Sequence, residues 1–128
     1  MSDEAATRAL AKRFFDAIEQ GDVATVTDCY DPKVEIWHNF DEIVQTREEN
    51  LETLKGMIGR LSDRLYDERQ VETFPGGFVQ QHVLRATRKD GVRVHLPAAL
   101  VIRVKNGKIV RLDEYLDTAQ VAAFRAAV

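Results

Sequence analysis

The strongest constraint on the fold is a hairpin signal near the end of the 128-residue chain. Asn106-Gly107 is the dipeptide most typical of a type I′ turn between two antiparallel strands. The strand predicted before it, Val92 to Lys105, carries a continuous row of apolar residues on one face. The strand predicted after it, Ile109 to Asp117, pairs with the first. The hairpin therefore places a long antiparallel pair of strands in the second half of the chain.

The second strand of this hairpin also carries the clearest functional signal. At the strand period of two, Val110, Leu112, Glu114 and Leu116 share one face, and Ile109 is predicted on the other. The shared face is apolar except for its one carboxylate. A glutamate that points the same way as three apolar side chains either takes part in chemistry within a pocket or has a buried partner.

The rest of the chain is predicted to form helices first and strands afterwards. Apolar spacing, capping residues and turns identify the elements. In order, they are a helix over residues 3–20 capped by Ser2 or Asp3, a short helix after Asp22 that Asp31-Pro32 ends, a strand from Lys33 to Phe40, a helix opened by a Thr46–Glu49 capping box, strands over Leu65–Thr73 and Phe78–Arg88, and a last short helix capped by Asp117 or Thr118. Pro97, which lacks an N–H, predicts an edge or a bulge. This order indicates an α+β domain with helices on one face of a curved sheet.

Composition and charge exclude several classes of protein. Residues 1–128 fit one domain, with 45% hydrophobic and 30% charged residues, as in ordinary globular proteins. A net charge of −3 offers no basic surface for nucleic acid. No apolar run reaches the roughly 20 residues that span a membrane, and the N-terminus lacks the apolar core of a secretion signal. A single cysteine, Cys29, excludes an internal disulfide, and a cytoplasmic location is expected.

The same sequence offers no signature of a metal or a nucleotide cofactor. The three histidines show no metal-ligand spacing. Gly76-Gly77 precedes a strand and not a helix, which is unlike a phosphate-binding loop. We therefore expect no metal and no cofactor.

Trp37-His38-Asn39, the hairpin at Asn106-Gly107 and the closing strand Asp113 to Asp117 together resemble the nuclear transport factor two-like superfamily. Within it, the chain is most similar to the SnoaL-like group, near limonene-epoxide hydrolases, SnoaL-type polyketide cyclases and ketosteroid isomerases. The resemblance implies an α+β conical barrel, made of a strongly curved mixed or antiparallel sheet with the N-terminal helices packed on its concave face. It also implies that the interior binds a small apolar molecule and that the protein is a homodimer.

The resemblance carries over to individual residues only in part. Trp37 and Asn39 match the aromatic-x-Asn pair that holds the attacking water in the epoxide hydrolases. Gln80 and His82 stand where those enzymes have Arg-x-Asp, and Glu114 stands where they have a further aspartate. The Asp–Arg–Asp arrangement is therefore absent, which disfavours epoxide opening. SnoaL-type cyclases depend on one acidic group in an apolar pocket, and Glu114 fits that role.

These residues define the first functional hypothesis, an isomerase or cyclase that acts on an apolar carbonyl compound. If the sheet closes as in the family, His82 and Glu114 both face the cavity, and a Glu–His couple can move a proton next to a carbonyl group. Glu114 is then the general acid/base, His82 assists it, and Asn39 and Gln80 orient substrate or water. The predicted substrate-binding residues are Trp37, Asn39, Gln80, Phe78 and Leu112.

Structural interpretations compete with each of these roles. Glu114 bonded to His82 or Arg85 would only fix strand register, and Trp37 is interpreted as a cavity wall or core aromatic and not as a catalytic group. Asn39 can satisfy a turn, and His38 is interpreted as a satisfied histidine and not as a ligand. At the level of function, the alternatives are a non-catalytic ligand-binding or dimerisation module and an epoxide hydrolase-like enzyme.

Overall fold

A computed structural model of the protein describes residues 3–128. The helices are α1 (Asp3–Gln20), α2 (Val23–Cys29), α3 (Arg47–Arg60) and α4 (Val121–Arg125), with a 3₁₀ turn at Thr118–Gln120 before α4. The strands are β1 (Tyr30–His38), β2 (Val44–Gln45), β3 (Leu61–Phe74), β4 (Gly77–Arg88), β5 (Arg93–Lys105) and β6 (Lys108–Leu116). The suggested N-cap Ser2 lies outside the described residues.

Local signals in the sequence explain where the helices begin and end. Gly21 ends α1 with a φ of +73°, a conformation that glycine adopts without steric cost. Asp22 then caps α2 by accepting a hydrogen bond from the Thr25 N–H at 3.1 Å. At α3 both hydrogen bonds of the capping box between Thr46 and Glu49 are present.

The strands form one mixed sheet in the order β2-β1-β6-β5-β4-β3. β1 and β6 are parallel, and the other neighbouring strands are antiparallel. The predicted type I′ turn joins β5 to β6, with φ of +52° at Asn106 and +74° at Gly107. The sheet curves but does not close, since β2 and β3 are its edges among the described strands. The predicted α+β class is confirmed, with an open cone in place of a closed barrel.

Several predicted boundaries are wrong, each for a local reason. The Tyr30 backbone is already extended after α2, so β1 includes Asp31-Pro32 and is not preceded by it. β3 begins at Leu61, directly after α3, and the two-residue strand β2 was not predicted. The pairing with β4 runs through Pro97 without a bulge. On the other side, the ladder with β6 ends next to Pro97, whose carbonyl accepts from the Asp117 N–H at 3.0 Å. The N–H that Pro97 lacks would lie on this side, where the ladder with β6 ends.

A bulge in β6 changes which of its residues face inward. Arg103 pairs with Arg111 and Val104 pairs with Ile109, so Val110 is the extra residue. Ile109 is therefore fully buried, contrary to its predicted outward position. Leu112 and Glu114 keep the predicted inward orientation, with Ile102 and Leu100 as their neighbours on β5.

The core lies between the helices and one face of the sheet. α1 packs on β3 and β4, and α3 packs on β1 and β3. α1 supplies Leu10, Phe14 and Ile18, which are spaced four residues apart, and the sheet supplies residues such as Ile36, Phe78 and Ile102. Among residues 3–128, no helix is both long and apolar enough to cross a membrane.

Candidate active site

A cavity opens between α3, α4 and the inner face of the sheet. It has a volume of about 130 Å³ and is called the outer cavity here. Its wall is mainly apolar, with Phe40, Leu54, Met57, Leu84, Leu96, Leu116, Val121 and Phe124. A smaller inner cavity of about 40 Å³ lies deeper, against Phe14, Phe15 and Ile36. Five residues line both cavities and mark the junction between them: His38, Asn50, Leu54, Tyr66 and Glu114.

Glu114 reaches this junction because of the strand order. β6 lies between β1 and β5, and Glu114 is level with His38 on β1 and Leu100 on β5. Side chains of level residues on neighbouring strands point to the same face of a sheet. Glu114 and His38 therefore enter the cavity side by side.

Glu114 and His38 form a close pair. His38 Nε2 lies 2.9 Å from Glu114 Oε1, and the two side chains are only 13% and 18% exposed. Burial lowers the pKa of His38, but the hydrogen bond and charge of Glu114 outweigh it and raise the pKa above its ordinary value. The pair thus favours an imidazolium beside a carboxylate.

Two buried tyrosines face the same junction. Burial, with the nearby Glu114 charge, raises the pKa of both Tyr30 and Tyr66 well above the ordinary value, so both phenols stay neutral. Tyr30 donates to Asn50 Oδ1 at 2.8 Å. The Tyr66 hydroxyl has no hydrogen bond in the part of the chain that the structure describes. Tyr66 therefore offers a free, neutral donor to a molecule in the cavity.

His82, the predicted assistant of Glu114, lines neither the outer nor the inner cavity and lies behind the Tyr66 ring. It is 4% exposed and packs against the rings of Phe15 and Tyr66, with centroids 5.2 and 4.6 Å away. Its Nδ1 lies 2.9 Å from Gln80 Nε2, and its Nε2 is buried with no hydrogen-bond partner. Burial lowers the pKa of His82 to about 4, so its ring is neutral at pH 7. The histidine at Glu114 is His38, and the predicted pairing with His82 is corrected.

The other predicted partner of Glu114, Arg85, is also engaged elsewhere. Its guanidinium bonds Asp67 and Glu68, each at 3.1 Å. Since β4 is separated from β6 by β5, neither His82 nor Arg85 is on a strand adjacent to Glu114. Strand order, which periodicity does not report, decides the partner.

Trp37 and Asn39, which flank His38, do not line the outer cavity. Trp37 is on the opposite face of β1, where its ring packs 5.3 Å from that of Tyr115. Asn39 bonds the Leu116 backbone twice, accepting from its N–H at 2.9 Å and donating to its carbonyl at 3.2 Å. The Asn39 amide thus extends the β1–β6 ladder in the manner of a peptide group. Of the two interpretations of Asn39, the geometry favours the structural one.

The remaining predicted binding residues divide between core and cavity. Phe78 is fully buried in the core and lines neither the outer nor the inner cavity. Gln80 is also buried, and its side-chain amide is hydrogen-bonded to His82. Leu112 does line the inner cavity. Tyr66 and Asn50 join the site without having been predicted, because they come from β3 and α3, whose position over Glu114 depends on packing.

The site offers groups that can transfer protons. Among the described residues, no cluster of histidine, cysteine, aspartate or glutamate is suited to hold a metal ion. What the arrangement supplies is a carboxylate held by a histidine, a neutral phenol donor and a mainly apolar wall.

Comparison with known proteins identifies the class to which this fold and cavity belong. The profile of the SnoaL-like domain family matches residues 11–112, and the chain belongs to this family. No protein of curated function matches the sequence.

Solved structures agree on the fold. A proposed polyketide cyclase from Xanthomonas campestris pv. campestris has a TM-score of 0.85 at 16% identity, covering 98% of this chain and 100% of its own. An LEH-like epoxide hydrolase from M. tuberculosis has a TM-score of 0.78 at 16% identity, covering 93% and 87%. A protein with a ketosteroid isomerase-like fold from Catenulispora acidiphila, in complex with trimethylamine, has a TM-score of 0.78 at 11% identity, covering 91% of each chain. At these identities the similarity establishes the fold alone.

Proposed function

We propose that the protein is a small-molecule enzyme that moves a proton on an apolar carbonyl compound, as an isomerase or a cyclase. The observation that carries this proposal is the pair of His38 Nε2 and Glu114 Oε1, 2.9 Å apart at the junction of two mainly apolar cavities. Titratable groups placed in such a cleft are typical of acid/base catalysis.

Glu114 is the general base in this proposal. One carboxylate oxygen is held by His38, and the second has no hydrogen bond within residues 3–128. The free oxygen can approach a C–H bond next to a substrate carbonyl. His38 fixes the orientation of the carboxylate. It thereby assists Glu114 in the way that the sequence predicts for His82.

Tyr66 supplies the complementary donor. Proton removal next to a carbonyl places negative charge on the carbonyl oxygen, and a donor aimed at that oxygen lowers the barrier. The Tyr66 hydroxyl is neutral and lines both cavities together with Glu114. It can therefore donate to the enolate oxygen.

The reaction needs no oxidant or cofactor. Glu114 takes a proton from carbon, and the electron pair of that C–H bond moves into the enolate. In an isomerisation the proton returns from Glu114 to a different carbon. In an aldol cyclisation the enolate carbon attacks a second carbonyl group of the same molecule, and the resulting alkoxide takes the proton.

Cavity size limits the enclosed part of the substrate. An engineered protein cavity of about 150 Å³ admits benzene. The outer cavity of about 130 Å³ is comparable, so it encloses about one ring of the substrate. Epoxide hydrolysis is not supported, because Asn39, the match for the water-holding asparagine, is bonded to Leu116.

The test measures proton exchange on small cyclic ketones. The ketones are chosen by thermal-shift screening, since a ligand that binds the folded state raises the melting temperature of the protein. In D₂O, NMR follows the loss of the signal of the protons next to the carbonyl. We expect the wild type to catalyse this exchange and Glu114→Gln to slow it about 10²- to 10⁴-fold. Glu35→Gln, an exposed glutamate on β1, is the matched control and should exchange like the wild type.

Unchanged exchange in Glu114→Gln would remove Glu114 from the mechanism. Ligands that bind in the thermal-shift screen without any exchange would instead indicate the non-catalytic binding module. The homodimer and the cytoplasmic location stay predictions.

A further inference from the structure

An arginine in the wall of the outer cavity has an unused hydrogen-bond donor. Arg60, the last residue of α3, lines this cavity, and its Nε is buried with no partner. No carboxylate within residues 3–128 forms an ion pair with it. A buried N–H donor is costly to leave unsatisfied, so the Nε–H of Arg60 calls for an acceptor that the protein does not provide.

A neighbouring arginine shows what a purely structural arginine does in this fold. Arg64, four residues later, donates to the backbone carbonyls of Ile18, Ile58 and Leu61. Its guanidinium thereby ties β3 to the ends of α1 and α3. Arg60 makes no such bonds in the described chain, although it lies in the same region.

The helix makes room for the Arg60 guanidinium. A side chain added at Gly56, one turn earlier, would place its Cβ 3.1 Å from Arg60 Nη1. Glycine inside a helix costs about 1 kcal/mol relative to alanine. At this position the glycine lets the guanidinium fold back along the helix on the cavity side.

The charges around the cavity favour an anion at Arg60. Glu114 and His38 are paired with each other at the junction. Of the other charged residues in the wall, Asp41 accepts from the Ile43 N–H, and Arg125 lies over the Phe40 ring at 5.1 Å. Two arginines thus face one remaining carboxylate, and neither arginine forms an ion pair as far as the structure describes the chain.

We propose that the cavity binds an apolar molecule with a carboxylate group, and that the Arg60 guanidinium binds the carboxylate. This inference rests on the proposed function for the placement of the reacting end. Arg60 lines only the outer cavity, whereas Glu114 lines both. The acidic end of the substrate therefore lies toward the outer cavity, and its carbonyl end lies toward the junction.

The test compares two probes of nearly the same size and shape, of which one is an anion and the other is neutral: 4-phenylbutyrate and its amide, 4-phenylbutyramide. Affinities are measured by isothermal titration calorimetry at low ionic strength. We expect the wild type to bind the carboxylate at least about tenfold more tightly than the amide, as for a charge-assisted hydrogen bond. Arg60→Gln should lose this preference by weakening the carboxylate while leaving the amide unchanged.

Two further variants distinguish direct binding by the Arg60 guanidinium from a general effect of positive charge near the cavity. Lys55→Gln removes one positive charge from an exposed position on the same helix and should keep the preference. Arg60→Lys keeps the charge without the forked donor, so we expect an intermediate preference. If Arg60→Gln does not fold, as judged by circular dichroism, Arg60→Lys decides the outcome.

Equal affinity for the two probes in the wild type would overturn the proposal. So would a full carboxylate preference in Arg60→Gln, or no saturable binding of phenylbutyrate at millimolar concentration. These results are independent of turnover. Glu114→Gln should retain the carboxylate preference, so a failure of the catalytic proposal and a failure of the anion site give different results.

Discussion

His38 and His82 lie in the same small domain and have opposite properties. Both are largely buried, but His38 has a carboxylate 2.9 Å away, whereas His82 has an amide and two aromatic rings. The pKa of His38 is raised, and that of His82 is lowered to about 4. One histidine therefore lines a cavity beside a carboxylate that favours its charged form, while the other is a neutral residue of the core.

The difference shows that the partner of a buried histidine matters more than its burial. Desolvation disfavours the imidazolium at both positions. Only at His38 does an adjacent carboxylate outweigh it, and it does so because β1 lies directly beside β6. The predictions below test this difference between the two histidines.

The largest expected effect is the acid sensitivity caused by His82. Its folded-state pKa of about 4 is below the ordinary value of 6.5. Between these two pH values the unfolded chain therefore binds a proton that the folded protein does not. The contribution of His82 to the unfolding free energy is present in full above pH 6.5 and is lost as the pH falls toward 4. At pH 4 this residue alone lowers the unfolding free energy by about 3 kcal/mol.

His82→Gln should remove that part of the pH dependence, as measured by urea unfolding at pH 7 and pH 4. The control is His95→Gln, which replaces an exposed histidine on β5 and should keep the wild-type dependence. An equal loss of stability in wild type and His82→Gln would show that His82 does not stay neutral in the folded protein.

The next effect is structural and concerns the residue beside His38. Asn39→Ala removes both hydrogen bonds to the Leu116 backbone and leaves that N–H and carbonyl without their partner. We expect a loss of about 2 kcal/mol in unfolding free energy, measured by urea denaturation. Asn39→Asp keeps an oxygen acceptor for the Leu116 N–H and should lose less. An alanine variant as stable as the wild type would show that these two bonds contribute nothing.

Local signals predicted most of the fold, and long-range pairing limited the prediction of the site. The hairpin at Asn106-Gly107, the cap at Asp22 and the capping box at Thr46 depend on neighbouring residues, and all three are present. The inward orientation of Glu114 also follows from local alternation. Its partner does not, because the parallel pairing of β1 with β6 joins residues 76 positions apart.

The faces of β1 illustrate the same limit. Alternation along β1 places Val34, Ile36 and His38 on one face and Trp37 on the other, but it does not say which face is inside. Pairing with β6 makes that decision, since His38 is level with the inward-pointing Glu114. As a result, Trp37 and Asn39, which carry the resemblance to the epoxide hydrolases, line neither the outer nor the inner cavity, whereas His38 between them lines both.

The smallest expected effect on stability, and the most direct measure of the contrast, is the titration of His38. Because its pKa is raised, the stability that it contributes is complete below the ordinary value of 6.5 and is lost as the pH rises through the folded-state value. Burial and Glu114 act on this pKa in opposite directions, so the net contribution of His38 to stability is smaller than that of His82.

Glu114→Gln removes the carboxylate that opposes the effect of burial, and the pKa of His38 should therefore fall. Two-dimensional NMR of the imidazole rings measures this, with Glu35→Gln on the outer side of β1 as the control. If the pKa of His38 were the same in Glu114→Gln as in the wild type, the two side chains would not be coupled, and the charged state of His38 would need another source.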